Sequence, residues 1–546
     1  MNQFPTKRGS RRLITAGAAA LTAGALALTG CAAGTGTTPT SAPTEGGSDS
    51  SELRVAITSY PSSWDQDFVA FDLSALTMFK NVYPYLIDYG IKDVDGGQIL
   101  DGSNIFPTFA ESFTSEDGQN WTLVIKEGAT FPSGNPITAE DVKWSKDRAF
   151  AASANVAGVY RLIGLTDPSQ VEVVDERTVV FHQEWPSALT EQIQAISLFI
   201  YDSKLLQEHA TADDPWAAEW VAQNPADGGY FVVDSFTPGQ EIVLKANPAY
   251  IADNAANVET VRFTIVSDTA SAAVLLREGD VDVAYGLSTN EILDLEGADG
   301  VSIISSPSNN MVYIPMNTQS GPLADAKVRE ALAYAVPYEQ IISTVYGGEA
   351  RRPQSFIPID MPGYTEAGFP YETDSAKAAE LLAAAGAGDL ALELVYPAED
   401  GAAEQIAILI QAAFGEVGVT VTPTPLDPAT LGERRAAKDI DMQVATGQQW
   451  VNDVEYLANN ALVTGAYLNY AEYSNPVVDE AVASARTITD DAEREALWLD
   501  VQEQLAADVP YIPLAQPNFL LPVRSDVAGF VYPLDGLVRY NTFTIE

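Results

Sequence analysis

The chain has 546 residues, 46% of them hydrophobic, and a formal net charge of −46 at pH 7. The apolar fraction excludes general disorder, and the length suffices for two or three domains. The negative charge argues against binding to nucleic acid and against electrostatic adhesion to anionic lipid, because phosphate groups would be repelled. We interpret the acidity as a contribution to solubility rather than as a sign of a cationic ligand.

The N-terminal segment has the pattern of an export signal. A basic stretch is followed by an apolar run over residues 13–28, roughly 16 residues and short for a membrane span. The run ends in Leu28-Thr29-Gly30-Cys31, which resembles the bacterial lipoprotein signal. That resemblance implies cleavage after residues 1–30 and a diacylglycerol on Cys31. The alternative is an ordinary cleaved signal with an incidental cysteine.

Two further features bear on export. Cys31 is the only cysteine, so an internal disulfide is excluded. The pair Arg11-Arg12 is also a feature of twin-arginine export signals. The residues that usually follow the pair in such signals are missing here, so general secretion is favoured. Removal of residues 1–30 takes away four cations and no acid, which brings the formal charge to about −50.

Residues 31–51 are predicted to be a flexible tether. They consist largely of Gly, Thr, Ser, Pro and Ala, a composition that cannot build a core. Since the acidic chain does not attract anionic lipid, the lipid on Cys31 would have to hold the protein at the extracytoplasmic face of the membrane.

Short strands and helices alternate after the tether without a fixed repeat, which indicates an α/β architecture. The clearest predicted strands are residues 53–57, 121–125, 417–421 and the hairpin 230–236 with 241–245. The clearest predicted helices begin at Thr138, with Asp141 completing a capping box, and after Asp325, where Pro337 interrupts or restarts the helix. Further helices are predicted over residues 375–385, 406–414 and 490–507.

Four segments, taken together, resemble one known family. The segments are residues 109–142; residues 228–250 with 276–282; residues 328–335; and residues 473–479 with 510–514. The chain from about residue 53 to its end is therefore similar to the family 5 solute-binding proteins of ABC importers, the oligopeptide- and dipeptide-binding type. Pro84 and the pair Pro337-Tyr338 depart from the usual family pattern.

The resemblance implies an α/β fold of the periplasmic-binding-protein type, in which two discontinuous lobes close over a ligand. The crossover strands between the lobes are predicted near residues 282–287 and 510–514. The resulting boundaries are 52–78, 205–286 and 512–546 for lobe I, 79–204 for an extra subdomain inserted in lobe I, and 287–511 for lobe II.

The resemblance also implies a ligand site. Peptide-binding members hold the peptide's α-ammonium with an aspartate three residues after a tryptophan, and Trp450-Val451-Asn452-Asp453 has that spacing. Asp453 is therefore the predicted anchor and Trp450 a pocket wall, with Asn452 between them. The family's usual Asp-Tyr-Pro-Asp-Pro is replaced here by Asp453-Val454-Glu455-Tyr456, and no arginine precedes the tryptophan. The alternative role for Asp453 is to cap a helix that runs through Leu457.

Tyr285, at the first predicted crossover, is a weaker candidate contact, and a packed hinge aromatic is the alternative. No catalytic motif is present: the sequence lacks a G-x-S-x-G elbow, an H-E-x-x-H motif and a P-loop. We therefore predict a non-enzymatic, monomeric, lipid-anchored receptor without metal or cofactor, which delivers peptides to an ABC permease. A non-peptide solute such as an oligosaccharide, an opine or a metal chelate is the alternative ligand. A secreted hydrolase or an adhesin is the alternative class.

Overall fold

The structure is a computed structural model, and it describes residues 51–67, 73–152, 154–387, 390–488 and 490–546. The predicted signal segment, Cys31 and residues 32–50 of the tether lie outside the described residues. Within the described ranges, every helix is too short or too polar to span a lipid bilayer.

The described residues form strands that belong to six sheets. In chain order the strands are β1 (Glu52–Ile57), β2 (Ile87–Val94), β3 (Gly97–Pro107), β4 (Ala110–Thr114), β5 (Asn120–Ile125), β6 (Val171–Val173), β7 (Thr178–His182), β8 (Phe231–Thr237), β9 (Glu241–Ala246), β10 (Thr260–Ile265), β11 (Val283–Ala284), β12 (Val301–Ser306), β13 (Asn310–Pro315), β14 (Ala350–Arg351), β15 (Ala391–Pro397), β16 (Thr420–Leu426), β17 (Met442–Gln443), β18 (Ala445–Gln448), β19 (Tyr511–Pro517), β20 (Phe519–Arg524), β21 (Val527–Ala528), β22 (Val531–Tyr532) and β23 (Thr544–Ile545).

Helices separate most of these strands. They are α1 (Leu73–Val82), α2 (Ala139–Ala151), α3 (Asn155–Arg161), α4 (Thr190–Ser197), α5 (Ser203–His209), α6 (Ala218–Val221), α7 (Thr269–Glu278), α8 (Thr289–Leu293), α9 (Ala326–Ala335), α10 (Tyr338–Val345), α11 (Ser375–Ala384), α12 (Gly401–Glu416), α13 (Pro428–Ala437), α14 (Val454–Ala461), α15 (Pro476–Ala485) and α16 (Asp491–Asp508). Aspartate side chains cap many of them, as at α7, α9, α11, α12 and α16.

The first sheet has seven strands in the order β12-β20-β11-β1-β10-β9-β8. Strand β1 lies at its centre, parallel to β10 and β11, and buries Leu53 and Val55 completely. Alternating apolar residues therefore place β1 where the sequence predicted a strand. The predicted hairpin is also present, since β8 and β9 pair in antiparallel register.

A second core lies between the four-stranded sheet β14-β19-β13-β18, the three-stranded sheet β16-β15-β17 and helices α9 to α12. Asp325 caps α9, whose Val328, Leu332 and Ala335 are buried, and α10 begins directly after Pro337, as predicted. The strand predicted at 417–421 begins only at Thr420, because Gly418 takes a φ of 88° in the turn after α12.

A third core is formed by the sheet β4-β5-β7-β6 and helices α2 to α4. The predicted capping box is present: the Thr138 backbone N–H donates to Asp141 Oδ2 at 2.8 Å. These elements fall within residues 79–204, the predicted extra subdomain, although its exact boundaries stay a prediction.

The chain passes between the first two sheets at residues 307–309, between β12 and β13, and returns at Asn518, between β19 and β20. The crossovers were predicted instead near 282–287 and 510–514. Strand β11 is short, and it is followed by α8, which Ser288 caps. After α8 the chain re-enters the same sheet as β12, and β12 pairs with β20 over six residues. The seven-stranded sheet therefore extends past the predicted lobe boundary at residue 287.

Candidate functional site

A cleft lies beside the first crossing, between the β2–β3 hairpin and the segments that follow β14 and β18. It contains two adjoining cavities of about 340 and 500 Å³, which share Lys92, Asp360 and Asn452. We call the first the Arg351 cavity and the second the Arg494 cavity. The Arg351 cavity is also lined by Asp95, Ser308, Asn309, Arg351, Tyr532 and Leu534, and the Arg494 cavity by Asp101, Gln192, Asp453, Arg494, Glu495 and Trp498.

Asn309 fixes the position of this cleft at the crossing. Its side-chain amide donates to the carbonyl oxygens of Gln449 at 2.8 Å and Leu534 at 2.9 Å. Tyr532 Oη donates to Asn309 Oδ1 at 2.9 Å. The side chain of Asn309 is 4% exposed, so its hydrogen bonds form away from water and hold the segment after β18 in place.

Asp453 lines the Arg494 cavity and is held by contacts within the chain. Its Oδ1 accepts from the Glu455 backbone N–H at 2.8 Å, which makes it the N-cap of α14. Arg494 Nη2 contacts the two carboxylate oxygens at 2.8 and 2.9 Å. The helix cap, given above as the alternative role, is the geometry observed, while a role of Asp453 toward a ligand stays a prediction.

Arg494 also joins Asp453 to a second acid. Its Nη1 donates to Glu455 Oε2 at 3.0 Å, and the Glu455 side chain is completely buried. Glu455 Oε1 has no hydrogen-bond partner among the described residues, and burial raises the pKa of this carboxyl group. One guanidinium therefore serves two carboxylates at the wall of the cleft.

Of the two other predicted residues in this segment, Asn452 lines the cleft and Trp450 does not. The Asn452 backbone N–H donates to Gln192 Oε1 at 2.9 Å, and the residue lines both cavities. Val451 is fully buried in the third core, and Trp450 lines a separate small cavity with residues of α3 and α4. Residues 450–452 therefore dock onto the segment predicted as the extra subdomain, and Trp450 lies outside the two cleft cavities.

Tyr285 is also absent from the residues that line the cleft. It follows β11 and packs against the hydrophobic core of the seven-stranded sheet, with its ring centroid 6.4 Å from that of Phe519. Burial raises the pKa of Tyr285 to about 12. The geometry is that of a packed aromatic beside the second crossing.

Arg351 was missed in the sequence. Its Nη1 donates to Asp360 Oδ2 at 2.5 Å, whereas Nε and Nη2 are buried and have no hydrogen-bond partner among the described residues. Asp360 lies in the left-handed region with a φ of 70°, a conformation that aspartate tolerates better than most residues. The adjacent Arg351 and Arg352 were the available signal, since the chain has only 29 Lys and Arg against 75 Asp and Glu.

The two cavities differ in charge. Two cations and four carboxylates line the Arg494 cavity, and two cations and two carboxylates line the Arg351 cavity. The cleft can therefore bind a solute with separated charges, its positive end toward the Arg494 cavity and its negative end toward the Arg351 cavity. No group of three or more His, Cys, Asp or Glu in the described part of the chain could hold a metal ion.

Residues 104–469 match the family described as bacterial extracellular solute-binding proteins, family 5 Middle. The chain belongs to this family. A family 5 protein is a solute-binding protein and not an enzyme. The match covers Gln192, Asp360 and the pair Asn452-Asp453 of the Arg494 cavity, whereas Lys92 and Asp101 precede the matched residues and Arg494 follows them.

Known relatives of this family 5 protein cover most of its length. It is 28% identical over 483 residues to the probable D,D-dipeptide-binding periplasmic protein DdpA of Escherichia coli K12, covering 87% of this chain and 91% of that protein. It is 27% identical over 447 residues to the glutathione-binding protein GsiB of Pectobacterium atrosepticum, covering 78% and 83%. Among solved structures, the ABC transporter substrate-binding protein CtaP of Listeria monocytogenes superimposes with a TM-score of 0.79 at 23% identity, covering 90% and 99%. The predicted two-lobed α/β fold is thereby confirmed.

Proposed function

We propose that this protein is the receptor of an ABC importer and that it captures short peptides, or compounds built like them, in the cleft. The names of DdpA and GsiB support peptide ligands, and the name of CtaP supports the role in an ABC transporter. We further propose that the protein acts as a monomer and that closure of its lobes presents the ligand to the membrane permease.

The proposed ligand is inferred mainly from Arg351. A buried donor without a partner costs about 1–3 kcal/mol, so the Nε and Nη2 groups of Arg351 favour a ligand that brings an acceptor. A carboxylate fits best, because its two oxygens match the fork of a guanidinium. We therefore propose that Arg351 receives the C-terminal carboxylate of the peptide, beside its existing bond to Asp360.

The excess of carboxylates in the Arg494 cavity supports a site for the α-ammonium. Asp453 remains the proposed anchor, but Arg494 already contacts both of its oxygens, so the ammonium would share this carboxylate with Arg494. Asn452 lies between the two ends and would line the middle of the ligand. We propose that Trp450 acts indirectly, because its docking onto α3 and α4 positions Asn452 and Asp453.

A solute with a carboxylate but no primary α-ammonium, such as an opine, is the second candidate. The internal pairing of Asp453 with Arg494 favours it, because the acid is then neutralised without a ligand. An uncharged oligosaccharide would leave the donors of Arg351 without a charged partner.

Calorimetric titration of three related ligands tests the proposal: a free dipeptide, its C-terminal amide and its N-acetyl derivative. We expect the amide to bind at least 10-fold more weakly than the free dipeptide, and Arg351→Gln to remove that difference. Arg177→Gln, which changes a surface arginine 40% exposed, is the matched control and should leave the difference intact. Equal binding of amide and free acid by the unmodified protein would contradict the carboxylate site.

The N-terminal proposal is separate from the cleft. We propose that Cys31 carries a lipid and that residues 31–51 tether the receptor to the extracytoplasmic face of the membrane. A Cys31→Ala variant should be released from the membrane fraction while it still binds dipeptide. Retention of that variant in the membrane fraction would contradict lipid anchoring.

A further inference from the structure

A further cavity, outside the cleft, lies at the C-terminal end of α13. We call it the basic pocket and define it by Arg434, Arg435, Lys438, Gln443, Tyr467 and Tyr470. Its volume is about 300 Å³, at the lower end of the range of small-molecule sites. None of its lining residues is shared with the two cleft cavities, so it would be a site of its own.

Arg435 is the central cation of the basic pocket. Its guanidinium carbon lies 4.2 Å from the ring centroid of Tyr470, and its Nε donates to Gln443 Oε1 at 3.0 Å. Arg434 pairs with Glu393 at 2.8 Å, and Lys438 pairs with Glu472. Among the described residues, Arg435 is thus the one cation of the three without a carboxylate partner.

Gln443 supplies an independent indication of a ligand. It lies in β17 with a side chain only 1% exposed, and its Nε2 has no hydrogen-bond partner among the described residues. A buried amide donor without an acceptor is unfavourable, so this group also favours an acceptor in the pocket. Gln443 and Arg435 are joined by a hydrogen bond, so the other N–H groups of both side chains lie close together.

The position of Arg434 and Arg435 in the last turn of α13 has an ordinary explanation, because cations there interact with the helix dipole. That explanation suits Arg434, whose guanidinium bonds the carbonyl of Asp439 beyond the helix end. Arg435 instead stacks on Tyr470 and bonds Gln443, and neither contact belongs to the helix terminus.

Charge and shape together indicate the class of ligand. Three cations and one carboxylate, Glu472, line this pocket, in a chain whose formal charge is −46. Tyr470 gives it a flat wall, and Tyr467, 90% exposed, gives it an aromatic rim. We propose that the basic pocket binds a small oxyanion, an organic carboxylate or a phosphate, through Arg435 and Gln443.

Ligand-observed NMR of the purified, signal-cleaved protein tests this proposal with two probes, inorganic phosphate and benzoate, each titrated at constant ionic strength. Stronger binding of benzoate would assign the pocket to aromatic carboxylates, and stronger binding of phosphate would assign it to phosphates. Arg435→Gln should weaken the preferred probe about 10- to 100-fold, as expected for loss of a charged hydrogen bond. Failure of both probes to bind at millimolar concentration would overturn the proposal.

Two further variants separate a built site from general electrostatics. Gln443→Glu keeps the side-chain shape but places a carboxylate beside Arg435, so it should also abolish probe binding. This variant tests the site even if Arg435→Gln folds poorly. Arg277→Gln removes an arginine from the last turn of another helix, α7, and should change affinity less than twofold. An equal loss in Arg277→Gln and Arg435→Gln would overturn the proposal.

The cleft provides the last control. Arg351→Gln should leave probe binding at the basic pocket unchanged, and Arg435→Gln should leave dipeptide binding unchanged. Loss of probe binding in Arg351→Gln alone would place the oxyanion in the cleft and overturn the assignment to the basic pocket. The two proposals can therefore fail independently.

Discussion

Replacement of Asp453 by Asn separates its structural contacts from its proposed contact with a ligand. Asparagine caps a helix about as well as aspartate, so the substitution preserves the cap of α14 and removes the charge that faces Arg494. Arg494 is 8% exposed and Asp453 17% exposed, so this ion pair is only weakly screened by water.

The expected loss of stability follows from these contacts. A hydrogen bond between charged groups contributes about 1.5–3 kcal/mol, and Asp453→Asn should lower the free energy of unfolding by that amount. Asp453→Ala removes the cap as well and should cost about 1 kcal/mol more. The matched control is Asp400→Asn, since Asp400 caps α12 through the N–H groups of Ala402 and Ala403, and its substitution should be nearly neutral.

Urea unfolding followed by tryptophan fluorescence measures these differences, and the chain has eight tryptophans. A second readout concerns the ligand: Asp453→Asn should weaken binding of a free dipeptide at least 10-fold but leave its N-acetyl derivative unchanged, because only the free peptide has an ammonium. If the ratio of the two affinities is unchanged, Asp453 is not the anchor. If Asp453→Asn unfolds at the same urea concentration as Asp400→Asn, the stabilising role of the Arg494 pair is refuted.

Three further predictions concern the framework, each checked by urea unfolding. Burial raises the pKa of Asp227 from 3.8 to about 6, so the folded protein binds the carboxyl proton of Asp227 more tightly than the unfolded chain does. The free energy of unfolding should therefore fall by up to about 3 kcal/mol as the pH rises from about 4 to above 6, and Asp227→Asn should remove that part of the pH dependence. Arg148 is fully buried between Asp65 and Asp67, at 2.6 and 2.5 Å, so Arg148→Met should cost about 3–5 kcal/mol while Arg161→Met, on the exposed side of α3, costs little. A Cβ on Gly229 would lie 2.4 Å from the Tyr83 carbonyl oxygen, so Gly229→Ala should cost about 1–3 kcal/mol, whereas Gly158→Ala, in α3 with open space around it, should be neutral or stabilising.

Elements with a local signal could be predicted from the sequence. Asp325 and Thr138 cap the helices that they were expected to cap, because a cap depends on residues within one turn. Strand β1 follows from the alternation of polar and apolar residues from Glu52 to Val55. The turn at Gly418 shows the limit of this reasoning, since an apolar run alone does not tell where a helix end gives way to a strand.

The cleft depended on contacts between distant residues and could be predicted only in part. Asn452 and Asp453 were found through a spacing within four residues, but the partner of Asp453 lies 41 positions away in α16. Trp450 was expected at the ligand, yet its neighbour Val451 inserts into the third core, and no local pattern indicates that docking. The buried donors of Arg351 likewise exist only once β14 and the segment around Asp360 are folded together.

The net charge of the chain bears on which ligand the cleft admits. A zwitterionic dipeptide is neutral and feels little long-range repulsion from a protein of charge −46, whereas its N-acetyl derivative is an anion and is repelled until it reaches Arg351. Salt shortens the range of that repulsion, from about 30 Å at 0.01 M to about 8 Å at 0.15 M. Stopped-flow association rates should therefore rise with salt for the N-acetyl dipeptide and stay within about twofold for the free dipeptide. If the rate for the N-acetyl dipeptide instead falls with salt, the local attraction of Arg351 and Lys92 outweighs the charge of the whole protein. The second candidate, an acid without a primary α-ammonium, then gains the stronger support.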